Sequence, residues 1–137
     1  MKVMGDKDLV KEWKGRFEEL AKKTHTATKD LTVKIYWRRS QKEYVTGKFY
    51  FYIDKSPKIS IGVPTRAYHF NYKIEVEGMF LHELGHYHQY KYCRKSFYEG
   101  KNREFYADKF AHKFCPLYSS QRAYKKYQKW VEKGGKR

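Results

Sequence analysis

GMFLHELGHYHQY, residues 78–90, holds three histidines and one glutamate within seven positions of a chain otherwise rich in lysine and tyrosine. His82 and His86 stand four residues apart. On a helix that spacing stacks two imidazoles one turn apart on one face, where both reach a single ion. Glu83 follows the first histidine and points about a quarter-turn away, beside the ion and not onto it. A carboxylate there suits a general base that takes a proton from a water activated by the ion. Nitrogen donors favour zinc over calcium or magnesium. Hydrolytic zinc takes about three protein ligands and keeps one position open. The motif alone is weak, because shuffling a chain of this composition yields H-E-x-x-H roughly once in fifty.

A third ligand raises its weight. One established extension of the motif places Gly at position 89 and His at 92; this chain has Gln89 and Tyr92, which excludes it. The other common solution is a glutamate on the next helix. NREFYADKFA supplies Glu104, eighteen residues after His86, and Asp108 one turn further on the same face. The first acid binds the metal, and the second accepts the N–H of a ligand histidine and fixes its tautomer. A carboxylate in a first helical turn is also favoured by the helix dipole alone. Glu99 competes as third ligand but sits in a stretch read as loop, beside Gly100. His88, six positions after His82, falls off the ligand face. Gly85 costs a helix about 1 kcal/mol, which points to close packing near the metal.

Outward from the motif, the chain reads as α, then β, then α. Residues 6–23 form an amphipathic helix with Leu9, Trp13, Phe17 and Leu20 on one stripe and Asp6 as N-cap. LTVKIYW (31–37), EYVTGKFYFYI (43–53) and KISIGV (58–63) read as strands, with RRSQ and DKSP as hairpin connections. AYHFNYK (67–73) reads as one more edge strand. Helices are expected over 75–91, 102–114 and 119–133, with a loop around 93–100 and Pro116 as a stop. The expectation is one α+β domain spanning residues 1–137: an N-terminal helix, a short antiparallel or mixed sheet, the HExxH helix, a Glu-bearing helix and a C-terminal helix.

Composition bounds the partners. Apolar residues at 40% and charged residues at 34% describe a globular chain and exclude disorder. The net charge of +16 makes nucleic acid, an anionic surface or an acidic substrate candidate partners. The same lysine-rich surface suits a protein from a thermophile. On 119–133, Arg122, Lys125, Lys126 and Lys129 alternate with Tyr124, Tyr127 and Trp130, which fits either nucleic-acid contact or an aromatic core face with solvated lysines. Cys93 and Cys115 form no CxxC pair, and leave open a mutual bridge or two reduced thiols. The N-terminus lacks the apolar core of a signal peptide, and no run approaches the ~18 apolar residues of a membrane helix. A soluble, cytoplasmic protein is expected.

HELGH followed by EFYAD resembles the gluzincin metallopeptidases. The E-F-x-A-D form is similar to that of HtpX-type peptidases without their membrane helices, and the small size to the archaeal minigluzincins and the ImmA/IrrE-type peptidases. The resemblance covers residues 76–111 or so. It implies a zincin-like fold and an endopeptidase holding one zinc ion, with His82, His86 and Glu104 as ligands, Glu83 as general base and Asp108 behind His82. It also implies an edge strand that pairs with the substrate backbone, expected within 58–73. Such enzymes stabilise the tetrahedral intermediate with a downstream Tyr or His. No motif marks that residue here; Tyr98, His112 and Tyr118 are the candidates. Self-blocking of the cleft by residues 1–25 or 118–137, as in small latent enzymes of this type, is a further expectation. The competing reading is a basic nucleic-acid-binding or interaction module whose zinc is structural.

Overall fold

The computed structural model describes residues 1–39, 45–52, 54–65, 72–100 and 102–118. Among these described residues, four strands and four helices follow in the order β1 (Lys2–Gly5), α1 (Lys7–Lys23), β2 (Thr32–Arg38), β3 (Thr46–Tyr50), β4 (Lys58–Pro64), α2 (Tyr72–Tyr92), α3 (Arg94–Glu99) and α4 (Arg103–Phe114). The architecture is α+β, with a helix turn at residues 116–118 after the break at Cys115.

The sheet is mixed, in the order β1-β2-β4-β3. β1 pairs parallel with β2 through the α1 crossover, as parallel strands require. β2 also pairs parallel with β4, while β3 lies antiparallel at the far edge. This corrects the hairpin expected between the first two strands: β2 and β3 are not neighbours. The β3–β4 hairpin is present as expected. β1 has no counterpart in the sequence reading; four residues with one inward side chain, Val3, give almost no periodicity. Within residues 93–100, read as loop, Arg94–Glu99 form α3. Of the stretch 67–73, Tyr72 and Lys73 begin α2, and the rest lies outside the described residues, as does 119–133.

Alternation puts Val33, Ile35, Ile59, Ile61 and Val63 on one sheet face, fully buried. α1 covers it with Leu9, Trp13, Phe17 and Leu20, and α2 with Val76, Phe80, Leu81 and Leu84. Phe17 and Phe80 stack at 4.2 Å where the two helices meet, and Arg16 bonds Glu77 at 2.5 Å beside them. Each such side chain contributes roughly 1.5–3 kcal/mol by leaving water. Asp6 occupies the N-cap position of α1, but its carboxylate accepts the Trp37 backbone N–H at 2.6 Å. The start of α1 is thereby pinned to β2.

α2 is the central element. Residues 80–87 are buried on every side, between the sheet and α4. Two close approaches allow this. A Cβ on Gly85 would lie 3.0 Å from the Ala107 Cα and 3.1 Å from the Phe110 Cβ, so α4 packs backbone-close against α2. A Cβ on Gly78 would fall inside the Tyr118 ring, which seats the turn after α4 on the first half of α2. No helix among the described residues is long and apolar enough to cross a membrane.

Candidate metal centre

The buried middle of α2 carries His82, Glu83 and His86, which are 3%, 4% and 8% exposed. Buried polar groups need partners, and α4 supplies them. The His82 Nε2 lies 3.2 Å from one Glu104 carboxylate oxygen, and the His86 Nε2 lies 3.1 Å from the other. On the far side of His82, Nδ1 lies 3.0 Å from the Asp108 carboxylate. Glu104 and Asp108 are one turn apart, so a single helix face presents both acids to α2.

The donor set fits zinc. Tetrahedral zinc with bonds of about 2.0–2.1 Å sets its ligand atoms about 3.3 Å apart. The two imidazole–carboxylate separations already lie within about 0.2 Å of that. One donor atom from each of His82, His86 and Glu104 falls within 4.8 Å of the other two. The imidazole planes stand at 89° with centroids 4.9 Å apart, so the rings converge without stacking. Burial depresses the pKa of His86, and the Glu104 carboxylate opposes this in part. The neutral imidazole that results is the form that binds metal. Glu99 is exposed on α3 and is not part of the group, nor are Cys93 and Cys115. Both cysteines are free thiols; the mutual bridge left open by the sequence is not formed.

A cleft opens beside these residues. β3 forms one wall with Gly47, Lys48 and Phe49, continued by Phe51. Glu83 and His86 form the floor, and Phe97, Arg103 and Glu104 the opposite wall. A Cβ on Gly47 would press to 2.5 Å from the Met79 side chain and 3.0 Å from the Glu83 Cγ, so a larger residue there must displace both side chains. Phe51 and Phe97 meet edge-to-face at 4.9 Å, and the Arg103 guanidinium lies 4.1 Å over Phe97 while its Nε donates to the Phe97 carbonyl. The sequence reading missed this wall. Its only signals were the aromatic run around Phe49 and Phe51, and a Phe97 hidden in a segment read as loop.

The strand bordering the cleft is β3, at the sheet edge. The edge strand was expected within 58–73; of that range β4, which spans 58–64, is interior, held by β2 on one side and β3 on the other, and 66–71 lie outside the described residues. Of the three candidates for transition-state stabilisation, none lines the cleft. Tyr98 is half exposed on α3 beside Phe97, His112 is exposed on α4, and Tyr118 is buried against Gly78. His88 lies away from the ligands, as read, with Nδ1 2.7 Å from the Tyr106 hydroxyl. Residues 1–25 build β1 and α1 and contribute nothing to the cleft walls. Comparison with protein-family models, curated proteins and solved structures finds no match to this chain.

Proposed function

We propose that this protein is a zinc-dependent metallopeptidase of the gluzincin type that hydrolyses peptide bonds in the cytoplasm. The observation that carries the reading is the convergence of the His82, His86 and Glu104 donors at zinc-ligand separations, with Glu83 on the floor of an open cleft. Zinc held there supplies Lewis acidity and a water whose pKa falls to about 7. Glu83 accepts the proton of the attacking water and returns it to the leaving amine. Asp108 keeps His82 in the tautomer that offers Nε2 to the metal. The outer edge of β3, unpaired among the described residues, receives an extended peptide by backbone pairing, and Phe49, Phe51 and Phe97 offer an apolar wall to its side chains. Two free thiols suit a reducing compartment.

A structural zinc is the weaker reading, because closed structural sites take four protein ligands and this group has three, one of them exposed. Of the two segments expected to block the cleft, 1–25 is built into the sheet and core, and all of 118–137 but Tyr118 lies outside the described residues. The test is zinc stoichiometry by elemental analysis together with cleavage of a mixed peptide library, with and without chelator. One zinc per chain and chelator-sensitive cleavage, by the full chain or by a form trimmed after residue 118, support the reading. A correctly folded chain that takes up no zinc refutes it.

A further inference from the structure

The face of the sheet opposite the helices is a second feature of the molecule; of its residues used below, Lys48 on the edge strand also borders the cleft, and the others stand apart from it. The strands carry five basic residues, Lys2, Lys34, Arg38, Lys48 and Lys58, and no acidic residue. Alternation and register put all five on this one face. Aromatic rings lie between them. The Lys34 ammonium sits 5.4 Å from the Tyr36 ring, and Lys48 and Lys58 flank the Tyr50 ring at 5.1 and 4.9 Å. Tyr50 and Tyr52 are parallel within 3°, with centroids 6.4 Å apart, and Tyr52 is 37% exposed. Among the described residues, the helices all pack on the other face.

On a sheet face opposite charges stabilise as neighbours and like charges destabilise. Here the sign is uniform, and the protein's net charge of +16 adds to the field. Phosphates are drawn by the lysines, while the flat tyrosine rings offer stacking to bases. Stacked aromatics on an open four-stranded sheet are a known way to hold two or three unpaired nucleotides. An anionic lipid surface matches the charge, but the parallel Tyr50 and Tyr52 rings match the flat faces of successive bases more closely.

We infer that this sheet face binds single-stranded nucleic acid, with Tyr36, Tyr50 and Tyr52 as stacking platforms and Lys34, Lys48 and Lys58 on phosphates. The test is fluorescence anisotropy of the full-length protein with a labelled oligo(dT) of about ten nucleotides, titrated at several salt concentrations. Wild type shows a negative log–log salt slope of about −2, as three phosphate contacts require. The pair Lys34→Glu with Lys58→Glu removes about 1.4 from the magnitude of that slope. Lys11→Glu with Lys14→Glu, on the exposed side of α1, changes the net charge by the same amount and leaves most of the slope in place. Tyr50→Ala weakens binding about 5- to 150-fold at constant charge. Circular dichroism of each variant confirms that it is folded. Absence of binding at 50 mM salt overturns the inference. So do equal losses from the sheet pair and the helix pair, an unchanged affinity in folded Tyr50→Ala, or capture by anionic vesicles without oligonucleotide binding. None of these results bears on zinc uptake or peptide cleavage.

Discussion

Asp108→Ala separates a built metal centre from two histidines that happen to face an acid. The Asp108 carboxylate lies 3.0 Å from the His82 Nδ1 and is not one of the three converging donors. Its loss leaves every ligand in place but frees the ring to turn and to protonate at the wrong nitrogen. Removing such a partner costs about 10- to 100-fold in metal affinity, or about 1.4–2.7 kcal/mol. The Asp108 side chain is 36% exposed, so water replaces part of the bond and the lower end applies. For 137 residues the unfolding entropy is about 0.29 kcal/mol/K, so the melting temperature of the zinc-loaded protein falls by about 5 °C. The assays are competition against a chromophoric chelator for zinc affinity and scanning calorimetry for the melting shift. Asp108→Asn, which keeps an oxygen acceptor, recovers most of the affinity. His88→Ala, whose ring bonds Tyr106 instead, leaves zinc affinity unchanged. Zinc affinity of Asp108→Ala within twofold of wild type, or an equal loss from His88→Ala, refutes the reasoning.

Glu83→Gln is expected to retain one zinc per chain and lose about 10²–10⁴-fold in peptide cleavage, read by kcat/KM on the best substrate of the library. Gly85→Val drives side-chain atoms into the Ala107 backbone and pushes α4 off α2. It costs about 1–3 kcal/mol in a denaturant titration and weakens zinc binding at the same time, because Glu104 and Asp108 move with α4. A Gly85→Val protein with wild-type zinc affinity contradicts the close packing. Acid stability has a separate source at the other end of α2. Burial raises the pKa of Asp30, but the Tyr87 hydroxyl, its own backbone N–H and the Lys91 ammonium outweigh this and hold it below the usual carboxylate value. Below that usual value, about 4, the unfolded chain protonates first, so this stabilisation is present at neutral pH and lost as pH falls through the folded pKa. Tyr87→Phe reduces stability at pH 7 by about 1–2 kcal/mol and flattens its decline between pH 5 and 3; a slope equal to wild type counts against it.

The site was more legible than the sheet, for physical reasons. His82, Glu83, His86, Glu104 and Asp108 lie on two helices, where fixed angular spacing turns sequence distance into direction, and the structure brings these five together. The strands of KISIGV and LTVKIYW were visible through their alternation, but alternation says nothing about partners. The parallel β2–β4 pairing and the displacement of β3 to the edge follow from non-local contacts, so the hairpin between β2 and β3 was misplaced and β4 proved interior, while 66–71 of the stretch expected to hold the edge strand lie outside the described residues. β1 was too short to show a period, and α3 is six residues whose helix is fixed by Phe97 entering the aromatic wall. Gly85 was readable as a packing signal; Gly78 and Gly47 were not, because their neighbours Tyr118 and Met79 are set by the fold.

Zinc K-edge absorption of the full-length protein, reconstituted with one equivalent of metal, tests the centre most directly. The expected spectrum has only nitrogen and oxygen neighbours at about 2.0–2.2 Å, with the outer-shell pattern of two imidazoles, and loses one oxygen neighbour in Glu104→Ala. A sulfur neighbour at about 2.3 Å, a single imidazole, or a spectrum that Glu104→Ala leaves unchanged would contradict the assignment of His82, His86 and Glu104 as the ligands.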